Sequence, residues 1–341
     1  MKRILIIATH GVGDLVMFFP TLEKIFQSEG KFYILLNSRM EEELFSVYFD
    51  TERISVVLIN QSGFFRRITA LTKLCTFSFK TIYYQSGLSS AKSLSLTILA
   101  SSPFALAKNL NRWRLITSTV AIHKIRKNLS NINCQKSILE LSIPGVRPSY
   151  NFKKEILNIS KYFRDNDITS GKYIIFAFGS SQLEKHKRLA HEIMQELIAF
   201  ILRDFAGYKV LFVGDHNDRT WLTAHEIPWF DDPRTLDATG QFSLSEVILL
   251  IRDAALVISS DNGLSHISAM SGVKTLTMYG PTNPRLTGIT YSETTSIEVT
   301  RSACAPCYSP KFRTGCGDPK CMLNFDALKL KKNILNMLSS P

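Results

Sequence analysis

Short apolar runs alternate with stretches of helical spacing along most of the chain. RILIIAT (3–9), FYILLN (32–37), ISVVLI (54–59) and KTIYYQ (80–85) have the length and β-branched content of strands. Between them, 16–30, 40–49 and 66–77 place apolar residues three and four apart, as on one face of a helix. Near-continuous apolar strands separated by amphipathic helices predict βαβ units and a parallel sheet. The stretch 88–107 reads as a buried helix followed by a strand, and 121–142 as a helix closing this half. IPGVRPSYNF (143–152), with two prolines and a glycine, breaks the rhythm and is the expected linker.

The rhythm then resumes. KYIIFAFG (172–179), YKVLFVG (208–214), AALVIS (254–259) and VKTLTMYG (273–280) read as strands, and 186–205, 242–254 and 263–272 as helices. Ser243 and Glu246 fit a capping box at the start of the second of these helices. A basic amphipathic helix, 325–340, ends the chain. The expected fold is α/β, with two tandem Rossmann-like, doubly wound domains at 1–150 and 151–324 and a terminal helix at 325–341. Ligands of such sheets bind outside the carboxyl ends of the strands, so two domains facing each other predict a central cleft.

Composition adds two constraints. A length of 341 residues suits two domains, and 45% hydrophobic with 21% charged residues is ordinary for a globular chain. The net charge of +12 is not ordinary and points to an anionic partner: nucleic acid, a phosphorylated small molecule or an anionic membrane surface. The basic residues are spread along the chain and no nucleic-acid module is recognisable, which argues against a nucleic-acid-binding protein with a cysteine–metal tail. No window approaches the roughly 20 apolar residues of a transmembrane helix. RILIIAT leads into HGVGD rather than a signal-cleavage pattern, so a cytoplasmic location is expected.

Polar chemistry concentrates where predicted strands end. After the first strand, THGVGDLVMFFP (9–20) offers Gly11 and Gly13 for a tight turn and Asp14 at a helix start. Asp14 suits the positive end of the helix dipole, or a general base facing a ligand. In FGSSQLEKHKRL (178–189), Ser180, Ser181 and Lys185 suit a phosphate, with Lys187 and Arg188 adding charge at the next helix start; a solvated basic face is the plainer reading. VISSDNGLSHISAMSG (257–272) sets Ser259, Ser260, Asp261, Asn262, Ser265 and His266 at the end of a core strand. Buried, that many polar groups need partners. A ligand held by free helix-start N–H groups near Gly263 and Leu264 would supply them, as would internal capping by Asp261; His266 equally suits a satisfied core histidine. Gly280, Pro281 and Thr282, in YGPTNPRLTG (279–288), form a shaped loop after the next strand.

The chain has six cysteines. Cys75 and Cys134 stand alone, as core or helix residues do. Cys304, Cys307, Cys316 and Cys321 cluster with spacings of two, eight and four intervening residues. They are candidates for structural zinc or iron, for reduced thiols, or for a reversible disulfide.

GVGDLVMFFP (11–20), SSDNGLSHISA (259–269), YGPTNPRLTG (279–288) and the cysteine-rich tail together resemble glycosyltransferase family 9, the ADP-heptose:lipopolysaccharide heptosyltransferases. The resemblance implies a GT-B fold, with acceptor bound by the first domain, nucleotide sugar by the second, and the final helix crossing back to the first. It implies inverting, metal-independent transfer of heptose or a related sugar from an ADP-sugar, with no cofactor required. The acceptor would be the lipopolysaccharide core or another anionic glycolipid or oligosaccharide; O-antigen, capsule and protein hydroxyls are alternatives. Peripheral contact with the inner membrane would follow.

By resemblance, Asp14 matches the general base, and Ser180, Ser181 and Lys185 the diphosphate contacts. Asp261, Gly263, Leu264 and His266 match the turn holding the donor nucleotide, and Gly13, Asn262, Gly280, Pro281 and Thr282 complete the candidate set. Family members often read Lys-x-Trp where this chain has Lys185, His186 and Lys187, so that tryptophan is absent.

Overall fold

A computed structural model describes residues 3–8, 11–49, 52–58, 81–84, 152–225, 231–289, 292–308 and 316–339. The helical stretches expected at 66–77 and 121–142, the helix and strand at 88–107, the linker except Phe152, and both Cys75 and Cys134 lie outside these residues. The chain divides into two compact units, Met1–Tyr150 and Asn151–Pro341.

In the first unit, strands β1 (Arg3–Ala8), β2 (Lys31–Leu36), β3 (Ile54–Leu58) and β4 (Thr81–Tyr84) form a parallel sheet in the order β3-β2-β1-β4. Helices α1 (Val12–Phe26) and α2 (Arg39–Tyr48) lie between strands in the chain. The parallel arrangement explains the continuous apolar runs: all but the first residue of β1 and β2 are buried. Phe19, Leu22 and Phe45 of the helices are buried with them, and Phe19 meets Phe49 edge-on at 5.0 Å.

The second unit opens with α3 (Lys153–Asp165). Its strands are β5 (Tyr173–Ala177), β6 (Lys209–Phe212), β7 (Thr235–Asp237), β8 (Leu256–Ser260), β9 (Thr275–Tyr279) and β10 (Thr295–Val299). They form one parallel sheet in the order β10-β9-β8-β5-β6-β7. Counted within the unit this is 6-5-4-1-2-3, the Rossmann order, with its switch point between β5 and β8. Between strands run α4 (His191–Asp204), α5 (His216–Ala224), α6 (Leu244–Asp253) and α7 (Gly263–Met270), followed by the short turn α8 (Pro284–Thr287). The predicted capping box of α6 is present: Ser243 Oγ accepts from the Glu246 N–H, and Glu246 accepts from the Ser243 N–H.

The last helix, α9 (Ala327–Ser339), lies within the second unit, and its Leu330 and Ile334 enter the same core as Ile198 and Leu202 of α4. Among the described residues, no helix is long and apolar enough to cross a membrane.

One predicted element is corrected. The helix expected over 186–205 begins at His191. Gln182–Lys187 forms a separate 3-10 turn, after which Arg188 is extended and the Leu189 N–H bonds to the Phe178 carbonyl at 3.1 Å. The basic residues therefore do not occupy the first turn of α4, and the expected placement of Lys187 and Arg188 at that helix start is corrected.

Candidate functional site

At the switch point the chain leaves β5 toward β6 and leaves β8 toward β9, so the two following loops diverge. The polar run after β8 ties these strand ends together. Ser259 Oγ donates to the Ala177 carbonyl at 2.9 Å and Ser260 Oγ to the Gly179 carbonyl at 3.3 Å. Asn262 Nδ2 donates to both carbonyls, at 2.8 and 2.9 Å. Its Oδ1 accepts from the Leu264 and Ser265 N–H groups at 3.0 and 3.1 Å, which caps α7. Two expectations are thereby corrected. The cap is Asn262, not Asp261, and the Leu264 and Ser265 N–H groups are occupied by that cap rather than free for a ligand. An amide can donate across the strand end while accepting from the helix start, whereas a carboxylate could only accept.

Relieved of capping, Asp261 becomes the centre of a second network. Its Oδ1 lies 3.7 Å from His266 Nε2, and its Oδ2 lies 3.9 Å from Lys187 Nζ and 3.4 Å from Thr287 Oγ1. Burial pushes its carboxyl upward, but the hydrogen bond from His266, the Lys187 charge and the Thr282 hydroxyl outweigh it and hold it below the usual carboxylate range. Asp261 is thus an ionised organiser drawing together three strand-end loops. His266 is buried and turned to this carboxylate.

The three cations after β5 go different ways. Lys185 is exposed. Lys187 turns inward to Glu184 at 2.9 Å and to Asp261. Arg188 is buried, bonded to Asp218 of α5 at 2.5 Å, and its guanidinium carbon lies 5.3 Å from the Trp221 ring centre. The reading of Arg188 as part of a ligand-facing basic cluster is corrected by this pairing. Ser180 is half-buried and Ser181 exposed at the start of the same loop.

The loop after β9 is partly a packing device. A β-carbon on Gly280 would overlap the Met322 sulfur, so any larger residue there would displace that side chain in the second-unit core. The Pro281 carbonyl accepts from the Cys307 and Tyr308 N–H groups at 3.0 and 2.9 Å, and Thr282 is buried. Tyr308 in turn donates its hydroxyl to Glu184 at 2.5 Å and stacks on His186 at 6.0 Å.

The four clustered cysteines are free thiols: Cys304, Cys307 and Cys316 are exposed, whereas Cys321 is buried among core residues beside Met322. Burial, then its sister cysteines, pushes the Cys321 thiol up to about 11. Among the described residues, no three His, Cys, Asp or Glu side chains are gathered to hold a metal, so the zinc or iron expectation is not supported.

In the first unit, the loop after β1 also leaves a switch point. Gly11 has φ of 129°, a conformation open to glycine, and leads directly into α1. Gly13 and Asp14 lie half-buried in the first turn of that helix. The Asp14 charge, after burial, helps push the buried carboxyl of Glu41 upward, although Asn37 and Ser38 N–H groups bind it.

Sequence reasoning missed Glu184 and Tyr308 and did not single out the inward turn of Lys187. The three-residue interval of Glu184 and Lys187 was a usable signal, because opposite charges three apart can pair across a turn. Tyr308 lies 124 residues from Glu184 and carried none.

Two parallel-sheet units, one in Rossmann order with its polar loops at the switch point, define a GT-B α/β protein. The solved glycosyl transferase family 9 structure from Veillonella parvula matches with a TM-score of 0.68 at 17% identity, covering 99% of this chain and 97% of that one. The E. coli heptosyltransferase WaaC, solved with ADP, matches at 0.61 and 18%, covering 98% and 100%. The model of glycosyltransferase family 9 (heptosyltransferase) matches residues 114–316, and the chain belongs to that family. Lipopolysaccharide heptosyltransferase 1 of Salmonella typhimurium is 30% identical over 131 residues. That alignment covers 38% of this chain and 39% of the relative's length.

Proposed function

We propose that this protein is a glycosyltransferase moving heptose, or a related sugar, from an ADP-sugar to a lipopolysaccharide core or another glycan acceptor. The observation that carries the reading is the Asp261 network at the β5/β8 switch point, in a chain of the heptosyltransferase family. A relative of the same fold was solved with ADP, which supports ADP as the nucleotide.

In this reading the second unit binds the donor and the first the acceptor. Ser180, Ser181, Lys185 and the Gly263 region meet the diphosphate, while Asp261, Asn262, Leu264, His266, Gly280, Pro281 and Thr282 shape the turn around it. Asp14 takes the proton from the acceptor hydroxyl as that oxygen attacks the anomeric carbon. The bond to the diphosphate breaks on the opposite face, the bonding electrons leave with ADP, and the configuration inverts. Charge growing on the leaving group is met by the Ser180 and Ser181 hydroxyls and Lys185, a metal-independent route. The net charge of +12 would draw the protein to an anionic acceptor at the cytoplasmic face of the inner membrane.

The test is transfer from a panel of nucleotide sugars, read by mass spectrometry of candidate acceptors. ADP-heptose or a related ADP-sugar should be the donor used. Asp14→Asn should lower turnover by about 10²-fold or more while ADP binding stays within about twofold. Use of UDP- or GDP-sugars alone would overturn the donor reading, and full activity of the Asp14→Asn variant would remove Asp14 from the mechanism.

A further inference from the structure

The proposed diphosphate site contains an electrostatic contradiction. Two carboxylates stand where an anion would have to bind. Glu184 lies in the loop after β5 and Asp261 in the turn after β8, with side chains 13% and 7% exposed. Carboxylates this dry repel a diphosphate strongly unless something neutralises them.

Lys187 reaches both. Its Nζ lies 2.9 Å from Glu184 Oε2 and 3.9 Å from Asp261 Oδ2, on a side chain that is itself 13% exposed. The outer oxygens of the two carboxylates are also held: Glu184 Oε1 accepts from Tyr308, and Asp261 Oδ1 faces His266. The Lys187 ammonium sits 5.5 Å from the Tyr308 ring centre, so its position is fixed from that side too. Arg188 is committed to Asp218, and Lys185 is exposed. Of the three cations in this loop, Lys187 is the one placed between the two carboxylates.

Resting on the donor reading above, we propose that Lys187 is the positioning residue that makes this strand-end site compatible with an anion. Its ammonium neutralises Glu184 and Asp261 together and keeps both carboxylates turned away from the incoming diphosphate. The role concerns the phosphates and not the nucleoside.

The test is calorimetric titration of the full chain with ADP, inorganic pyrophosphate and adenosine. Lys187→Met should weaken ADP and pyrophosphate by at least about tenfold, with adenosine changed less than about twofold. Lys187→Arg should keep ADP within about threefold of the parent. Adding Glu184→Gln to Lys187→Met should recover most of the lost ADP affinity, a compensation that a packing role would not produce. Glu184→Gln alone, which leaves Lys187 in place, should tighten ADP by a few-fold and supplies the test should Lys187→Met fail to fold. Unchanged ADP affinity in Lys187→Met, parallel loss of adenosine, or no gain from Glu184→Gln would each overturn the proposal while leaving the donor reading standing. A parent protein that binds neither ADP nor pyrophosphate would overturn both.

Discussion

Two buried aspartates flank the same switch point, and their surroundings are opposite. Asp218, in the first turn of α5, has one cationic partner, Arg188, and an Asp215 N–H at 3.0 Å. Burial dominates there, and its carboxyl is lifted above the usual range despite these partners. Asp261 faces His266 at 3.7 Å, Lys187 at 3.9 Å and the Thr287 hydroxyl at 3.4 Å, and its carboxyl is held below that range. The difference separates a structural ion pair from the network proposed to serve the donor. Asp218 and Arg188 fasten α5 to the loop after β5, burying one charge against another. Asp261 stays ionised at a place where three loops meet, and its partners come from loops that a ligand would touch.

The largest effect is expected at Asp218. Asp218→Ala leaves Arg188 buried without its carboxylate and should cost about 3–5 kcal/mol of unfolding free energy in a denaturant titration. Arg188→Met should cost less at acid pH than at neutral pH. The sign follows from the raised carboxyl: Asp218 binds its proton more tightly folded than unfolded, so its ionisation destabilises the fold as pH rises through its folded pKa, and protonation relieves the cost. A loss that is equal at both pH values would contradict this.

Asp261 should show the reverse slope and a smaller effect. Its folded pKa is depressed, so its contribution is full above the ordinary carboxylate value near about 4 and is lost as pH falls below it. Acid unfolding of the parent should therefore steepen below about pH 4 relative to Asp261→Asn. Identical acid profiles would remove Asp261 from the ionised role.

Asn262→Ala should cost about 1–2 kcal/mol, because it removes the α7 cap and the two ties to the Ala177 and Gly179 carbonyls. The smallest effect is expected at the exposed thiols. Replacing Cys304, Cys307 and Cys316 together with serine should shift stability by no more than about 0.5 kcal/mol, as for ordinary surface positions. A loss of several kcal/mol would restore the case for a structural metal.

Much of the fold was legible because parallel sheets bury both faces of each strand and so write continuous apolar runs. Ile4–Ala8, Leu256–Ser260 and Thr275–Tyr279 were found that way. The strands β7 (TLD) and β10 (TSIEV) were missed because β7 has only three residues and both are polar edge strands. α5 (HNDRTWLTA) was missed because it offers little apolar periodicity. At the site, the position of the polar residues was legible and their division of labour was not. Whether Asp261 or Asn262 caps α7 depends on carbonyls 83 and 85 residues away, at Gly179 and Ala177. Which lysine turns inward depends on a kink at Glu184 and on Asp261 and Tyr308, partners remote in sequence.

The central claim is that the strand-end loops of the second unit hold the ADP of the donor. Backbone hydrogen exchange of the protein with and without saturating ADP tests it most directly. Exchange should slow in 179–187 and 261–266, with β7 and β10 unchanged. Slowing confined to other segments, or none at all with ADP bound, would contradict the account.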